Sequence, residues 1–149
     1  VLRREMKARI HCHRADDIMT AIRIAEEFNL DYVLEHATEG HKIPDILAEK
    51  QVRCVVGPLD MEPAKHELWD VRLDNPAILA KAGCKVAIQM DSSSATKYLP
   101  WMAGVAMREG LGEEEALRAI TINPAEILGL DDRLGSIEVG KEASPPASR

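Results

Sequence analysis

The sequence has few of the features that mark membrane, nucleic-acid-binding or disulfide-rich proteins. None of its apolar runs approaches the length that spans a bilayer, and it does not open with a signal-peptide pattern. Its net charge of -6, without a basic cluster, argues against a nucleic-acid surface. Three widely spaced cysteines without CxxC spacing favour reduced thiols over a disulfide framework. We therefore expect a cytoplasmic protein with no nucleic-acid partner and no membrane partner.

Aromatic residues are also scarce, at 3% of the chain, although hydrophobic residues together reach 46%. The core must therefore consist mainly of Ile, Leu, Val, Ala and Met side chains. With 149 residues, the chain is long enough to bury such a core as one domain.

Short apolar strands alternate with segments of helical periodicity along the chain. Strands are predicted at the start of 8–17 and at 32–36, 52–56 and 84–90, each followed by a helix. Asp16 or Asp17 is the predicted N-cap of the first helix. A long loop is predicted at 59–74, and long loops in compact domains are often functional. The β-α-β-α-β-α-β-α order predicts parallel strands joined by right-handed crossovers.

The segment 8–17 carries the sharpest chemical signal in the sequence. Alternate side chains of a strand share a face, so His11 and His13 point one way and Ile10 and Cys12 the other. Two imidazoles at the carboxyl end of a strand suit a metal or substrate site. The alternative is a pair of hydrogen-bonded histidines without a ligand, and this segment alone leaves both interpretations open.

Three of the four predicted strands end in a side chain that can bind a metal: His11 with His13, His36, and Asp91. Parallel strands bring their carboxyl ends to one face, so these groups can converge. Imidazole and carboxylate suit zinc, manganese or iron, and Asp91 could also accept a proton from water. The competing explanation is that His36 caps a helix and that Asp91 is an ordinary corner residue. Three such coincidences in successive units are harder to explain than one site.

These segments resemble strands five, six and eight of the amidohydrolase superfamily, in particular its imidazolonepropionase-related and prolidase-like members. The resemblance rests on Ile-His-Cys-His-Arg-Ala-Asp-Asp-Ile at 10–18, on Leu-Glu-His-Ala-Thr-Glu-Gly at 34–40 and on Asp91. In addition, 119–125 with 128–129 resembles the helix that follows the family's barrel, and 134–141 resembles its return strand.

The resemblance implies an α/β fold, namely the C-terminal half of a (β/α)8 TIM-type barrel, strands five to eight, with the start of a return strand to a small β-sandwich. It divides the chain into a partial amidohydrolase barrel at 1–129 and, at 130–149, the return strand and a disordered tail. The implied activity is hydrolysis of C–N bonds in cyclic amides or peptides, with one or two divalent metals, most often zinc.

Carried over by position, His11, His36 and Asp91 would be the metal ligands. Asp91 would also be the catalytic proton shuttle, and His13 would lie behind the ligands or face the substrate. The family's first-strand HxH pair and its strand-four lysine have no counterpart in the sequence. We therefore expect a C-terminal portion that is inactive alone and that self-associates or requires the missing N-terminal half. Two alternatives remain: a non-catalytic interaction module, and a subunit that completes its barrel with a partner chain.

Overall fold

The computed structural model describes residues 1–142, which contain one parallel four-stranded sheet and six α-helices. The sheet has the order β1-β2-β3-β4 and consists of β1 (Ala8–Cys12), β2 (Tyr32–His36), β3 (Arg53–Val56) and β4 (Lys85–Ile88). The helices are α1 (Ala15–Glu27), α2 (Pro44–Glu49), α3 (Asn75–Ala82), α4 (Leu99–Arg108), α5 (Glu113–Ala119) and α6 (Ile122–Leu128). The α/β fold with parallel strands is thus confirmed, although β4 ends two residues earlier than predicted, at Ile88.

Helix α1 shows how the sequence pattern becomes packing. Its apolar residues Ile18, Ile22 and Ala25 share one buried face, as the spacing predicts. The predicted N-cap is wrong, because Asp16 and Asp17 lie inside the first turn. The amide of Ala15 instead donates to the Glu39 carboxylate at 2.9 Å. A distant side chain therefore caps the helix and ties it to the segment after β2.

The two faces of the sheet are covered by different helices. On one face, the main core joins strand residues to α1, α3 and α4 through aliphatic and thiol side chains, including Ile18, Ile22, Leu34, Cys54, Val56, Leu79, Val86 and Met102. On the other face, Ile127 of α6 packs against Val33, Val55 and Ala87. The amide of Asn123 in α6 also donates to the backbone oxygen of Val86 at 2.8 Å. Helix α6 therefore seals part of the face that the other helices leave open.

The return strand predicted at 134–140 is not formed in the described part of the chain, where this segment consists of turns and bends. A strand requires a neighbour for its backbone hydrogen bonds, and Ile137 and Val139 are instead fully exposed. The predicted disordered tail at 144–149 lies outside the described residues, and the division at residue 129 stays a prediction. Among the described helices, none combines the length and the apolar character needed to cross a membrane.

Candidate metal centre

Three histidines meet at the carboxyl end of the sheet. The Nε2 atoms of His11 and His13 are 2.8 Å apart. The ring centroid of His36 is 4.4 Å from that of His11 and 4.8 Å from that of His13. One nitrogen of each ring lies within 4.8 Å of the other two, so the three imidazoles could hold a single metal ion.

The backbone at the end of β2 aims His36 into this cluster. His36 is in register with Cys12, whose side chain faces the helical core, so simple alternation would turn His36 away from His11. However, His36 has φ 66° and Ala37 has φ 42°, both in the left-handed region. Residues other than glycine seldom adopt this conformation, and it is concentrated at functional sites.

Hydrogen bonds fix the orientation of two of the rings. Nδ1 of His36 donates to the backbone oxygen of Gly57 at 2.7 Å, which leaves the Nε2 lone pair available to a ligand. Nδ1 of His13 lies 2.8 Å from Oγ1 of Thr38, a buried side chain. Metal-binding histidines commonly have such a partner on the second ring nitrogen. Both rings are therefore oriented before any ion binds.

Burial keeps His13 uncharged at neutral pH. Its pKa is lowered to about 4, mainly by burial and then by the neighbouring rings of His36 and His11. Only a neutral imidazole has the lone pair that binds a metal. The cluster therefore presents His13 in the protonation state that a ligand needs.

Two carboxylates lie beside different histidines of the cluster. Oδ2 of Asp91 is 3.9 Å from Nε2 of His36, and Oε1 of Glu67 is 3.8 Å from Nε2 of His13. Both are more open to solvent than the buried rings of His13 and His36, with 62% of the Asp91 side chain and 38% of the Glu67 side chain exposed, and His11 is itself exposed. A carboxylate at the rim can exchange protons with solvent while it faces the site.

The predicted residues are thus brought near one another, in an arrangement that differs from the expected one. His11 and His36 meet, Asp91 lies at the rim, and His13 lies in the cluster itself with its Nε2 atom beside that of His11. Sequence reasoning missed Glu67 and noted only the unusual length of the loop at 59–74 that carries it. Whether each residue acts as ligand or proton shuttle stays a prediction.

Ion pairs hold together the chain segments that surround the cluster. Glu39, which caps α1, also accepts a hydrogen bond from Nζ of Lys42 at 2.9 Å. Lys42 in turn pairs with Asp70 of the long loop. Segments that follow β1, β2 and β3 are therefore connected through one buried carboxylate.

Below the histidines, a charged pair occupies the same face of the sheet. Glu35 is buried, and its Oε1 accepts a hydrogen bond from Nε of Arg9 at 2.5 Å. This bond raises the pKa of Arg9. Glu35 is in register with His11, and its carboxylate is matched by Arg9, which lies two residues earlier in β1. A buried carboxylate without such a partner would be costly.

The fold and the site together define an α/β protein with a parallel sheet and a histidine cluster suited to a metal. Residues 3–144 match the amidohydrolase family. The chain therefore belongs to the amidohydrolase family, as its sequence motifs predict.

Known proteins similar to the chain agree with this assignment. An imidazolonepropionase of Sphingopyxis alaskensis is 33% identical over 112 residues, which make up 72% of this chain and 26% of that protein. The crystal structure of an amidohydrolase from Thermotoga maritima is 50% identical with a TM-score of 0.92, covering 96% of this chain and 38% of that one. A zinc-bound adenosine deaminase from Xanthomonas campestris is 24% identical with a TM-score of 0.66, over 93% and 36% of the two chains, and supports the fold alone. The chain thus spans only about a quarter of the curated relative's length.

Proposed function

We propose that this chain is the C-terminal, metal-binding half of an amidohydrolase (β/α)8 barrel that hydrolyses C–N bonds in small cyclic amides or peptides. The observation that carries the proposal is the cluster of His11, His13 and His36 at the carboxyl end of the parallel sheet. Active sites of (β/α)8 barrels lie at this face. Membership of the amidohydrolase family and the names of its imidazolonepropionase relatives support the reaction class.

The donor set fits a divalent metal, most simply zinc. Zinc sites in enzymes commonly combine several imidazoles with a carboxylate, and the cluster offers three imidazoles with carboxylates at its rim. A divalent ion in such a site polarises the substrate carbonyl and activates water. His11, His13 and His36 would hold the ion. Asp91 would complete the set and accept a proton, which its exposed side chain can pass to solvent or to the leaving amine.

The half-barrel part of the proposal rests on the ends of the sheet and on chain length. Strands β1 and β4 are the two outermost strands of the sheet, and aligned relatives are much longer. Sheet edges that lack a partner tend to pair with other chains. We therefore expect the chain to self-associate or to bind a complementary N-terminal half. Light scattering that shows a monodisperse monomer with a sharp cooperative melt would contradict this expectation.

Calorimetry with Zn²⁺ tests the metal site. We expect weak binding to the chain, because the family's first-strand ligands are missing, and complete loss of binding in the double variant His11→Ala/His36→Ala. The exposed His66, which lies in the 59–74 loop, provides the matched control His66→Ala, which should bind like the unmodified chain. Tight stoichiometric binding that survives the double change would refute the assignment.

Hydrolysis assays test the reaction class. We expect no turnover of amides, lactams or peptides by the chain alone, because small misplacements of catalytic groups already cost about a hundredfold in rate. A complementary N-terminal half, fused or co-expressed, should restore hydrolysis that Asp91→Asn abolishes. Chelator-sensitive turnover by the chain alone would overturn the half-barrel proposal. A completed protein that binds metal but hydrolyses no member of a broad amide panel would overturn the reaction class.

A further inference from the structure

We infer that Glu67, carried by the long loop between β3 and α3, is an additional ligand of the metal site. This inference rests on the proposed metal site and adds a ligand that the sequence did not predict. Oε1 of Glu67 lies 3.8 Å from Nε2 of His13, which itself lies 2.8 Å from Nε2 of His11. Glu67 and His11 therefore both lie close to Nε2 of His13.

The distance from Oε1 of Glu67 to Nε2 of His13 is close to that between two ligands on one ion, whereas the 2.8 Å between the His11 and His13 nitrogens is a hydrogen-bond distance. Two donors bound at about 2.1 Å to a tetrahedral zinc are separated by about 3.4 Å. The Glu67–His13 distance exceeds this value by only a few tenths of an ångström, which a rotation of the Glu67 side chain can close. Asp91 is almost equally far from His36, at 3.9 Å, so the two carboxylates have comparable access to the cluster.

The loop holds Glu67 in place through its neighbours. Leu68, the next residue, is buried in the protein, and its amide donates to the backbone oxygen of Lys65 at 3.0 Å. Asp70, three residues further on, pairs with Lys42. Glu67 therefore lies on an anchored turn, directly before two fixed residues, rather than on a freely moving loop.

The side chain of Lys65 pairs with the same carboxylate. A metal ion at the cluster and the Lys65 ammonium would compete for Glu67, because a carboxylate oxygen bound to the ion is less available to the ammonium. Removal of Lys65 should therefore strengthen metal binding, whereas removal of the Glu67 charge should weaken it. If the ion and Lys65 compete for Glu67, the gain in metal affinity from removing Lys65 should largely disappear when Glu67 is also changed.

The test compares Zn²⁺ affinity by calorimetry and the visible spectrum of bound Co²⁺ in the full chain and four variants: Glu67→Gln, Lys65→Met, the double variant of both, and Glu62→Gln. Glu62 is an exposed carboxylate of the same loop and serves as the matched control. Glu67→Gln should weaken binding by about tenfold or more and shift the Co²⁺ bands, because a ligand oxygen is lost. Lys65→Met should bind more tightly, the double variant should resemble Glu67→Gln, and Glu62→Gln should match the unmodified chain. Circular dichroism confirms that each variant is folded.

Three results decide the matter. If Glu67→Gln keeps the affinity and the Co²⁺ spectrum of the unmodified chain, the Glu67 assignment is wrong and the histidine site stands. If affinity falls but the Co²⁺ bands do not move, Glu67 acts only through its charge, and its assignment as a ligand is again wrong. If the unmodified chain binds neither ion, the proposed metal site fails, and the Glu67 ligand fails with it.

Discussion

Replacing Gly57 with alanine should disturb both the sheet and the metal centre. Gly57 follows β3 with φ +117°, and its backbone oxygen accepts the hydrogen bond from Nδ1 of His36. A Cβ atom at this position would lie 2.4 Å from the backbone oxygen of Gln89, just beyond β4. Because that neighbour is backbone and cannot swing away, the chain after β3 would have to move away from β4.

The expected loss of stability in Gly57→Ala has two parts. Forcing an alanine into the left-handed region costs about 1–2 kcal/mol, and an unrelieved steric overlap adds about 1–3 kcal/mol. Gly57→Ala should therefore lower the free energy of unfolding by roughly 2–5 kcal/mol. Displacement of the Gly57 oxygen should also free the His36 ring and weaken Zn²⁺ binding by about 10–100-fold.

Gly83 provides the matched control for this experiment. It has φ +102° at the end of α3, but a Cβ there would meet no atom within 4 Å. Gly83→Ala should therefore show the backbone cost alone, about 1–2 kcal/mol, with unchanged Zn²⁺ affinity. Urea unfolding and zinc calorimetry of both variants supply the comparison. If Gly57→Ala is no less stable than Gly83→Ala, or if it binds Zn²⁺ normally, the reasoning about the close contact with Gln89 and the His36 hydrogen bond is wrong.

Three further predictions concern the rest of the molecule. Ile127→Ala should lower the free energy of unfolding, measured in urea, by about 2–5 kcal/mol, because Ile127 covers the second face of the sheet. Leu128→Ala, at the exposed neighbouring position, should have little effect. Burial raises the pKa of Asp31, but hydrogen bonds from Arg53 and Lys7 outweigh it and lower the pKa overall. Asp31→Asn should therefore lower the free energy of unfolding by about 1 kcal/mol at neutral pH. This difference should vanish as the pH falls through the lowered pKa of Asp31, and a pH-independent difference would contradict the ion-pair explanation. Burial raises the pKa of all three cysteine thiols: that of Cys12 to about 12, that of Cys84 to about 11, and that of Cys54 well above its usual value. The thiols should therefore resist a disulfide reagent until the chain unfolds, and rapid labelling of the folded chain would refute this.

Local pattern was enough to predict the layout of the fold. The alternation of apolar strands with helical segments predicts four parallel strands, and the structure has them in sequence order. The same alternation predicts that His11 and His13 share a side of the chain, and their rings meet although β1 ends at Cys12. These features depend on residues a few positions apart, and the side-chain periods of strands and helices are fixed by backbone geometry.

Other features depend on residues far apart in the chain. The N-cap of α1 is supplied by Glu39 rather than by Asp16 or Asp17, because the nearer carboxylates lie inside the first turn. The segment at 134–140 has the residues of a strand, but a strand also needs a neighbour to pair with. No local pattern specifies either partner.

The metal centre itself was determined partly by sequence and partly by tertiary structure. The sequence by itself placed histidines at the ends of two strands that must lie side by side in a parallel sheet. Only the tertiary structure decided that the left-handed turn at His36 would aim its ring at His11, and that Leu68 would anchor Glu67 beside His13. The physical reason is that the end of a strand is specified by its own residues. The direction of a side chain beyond that end, by contrast, depends on distant backbone and core contacts that form only when the chain folds.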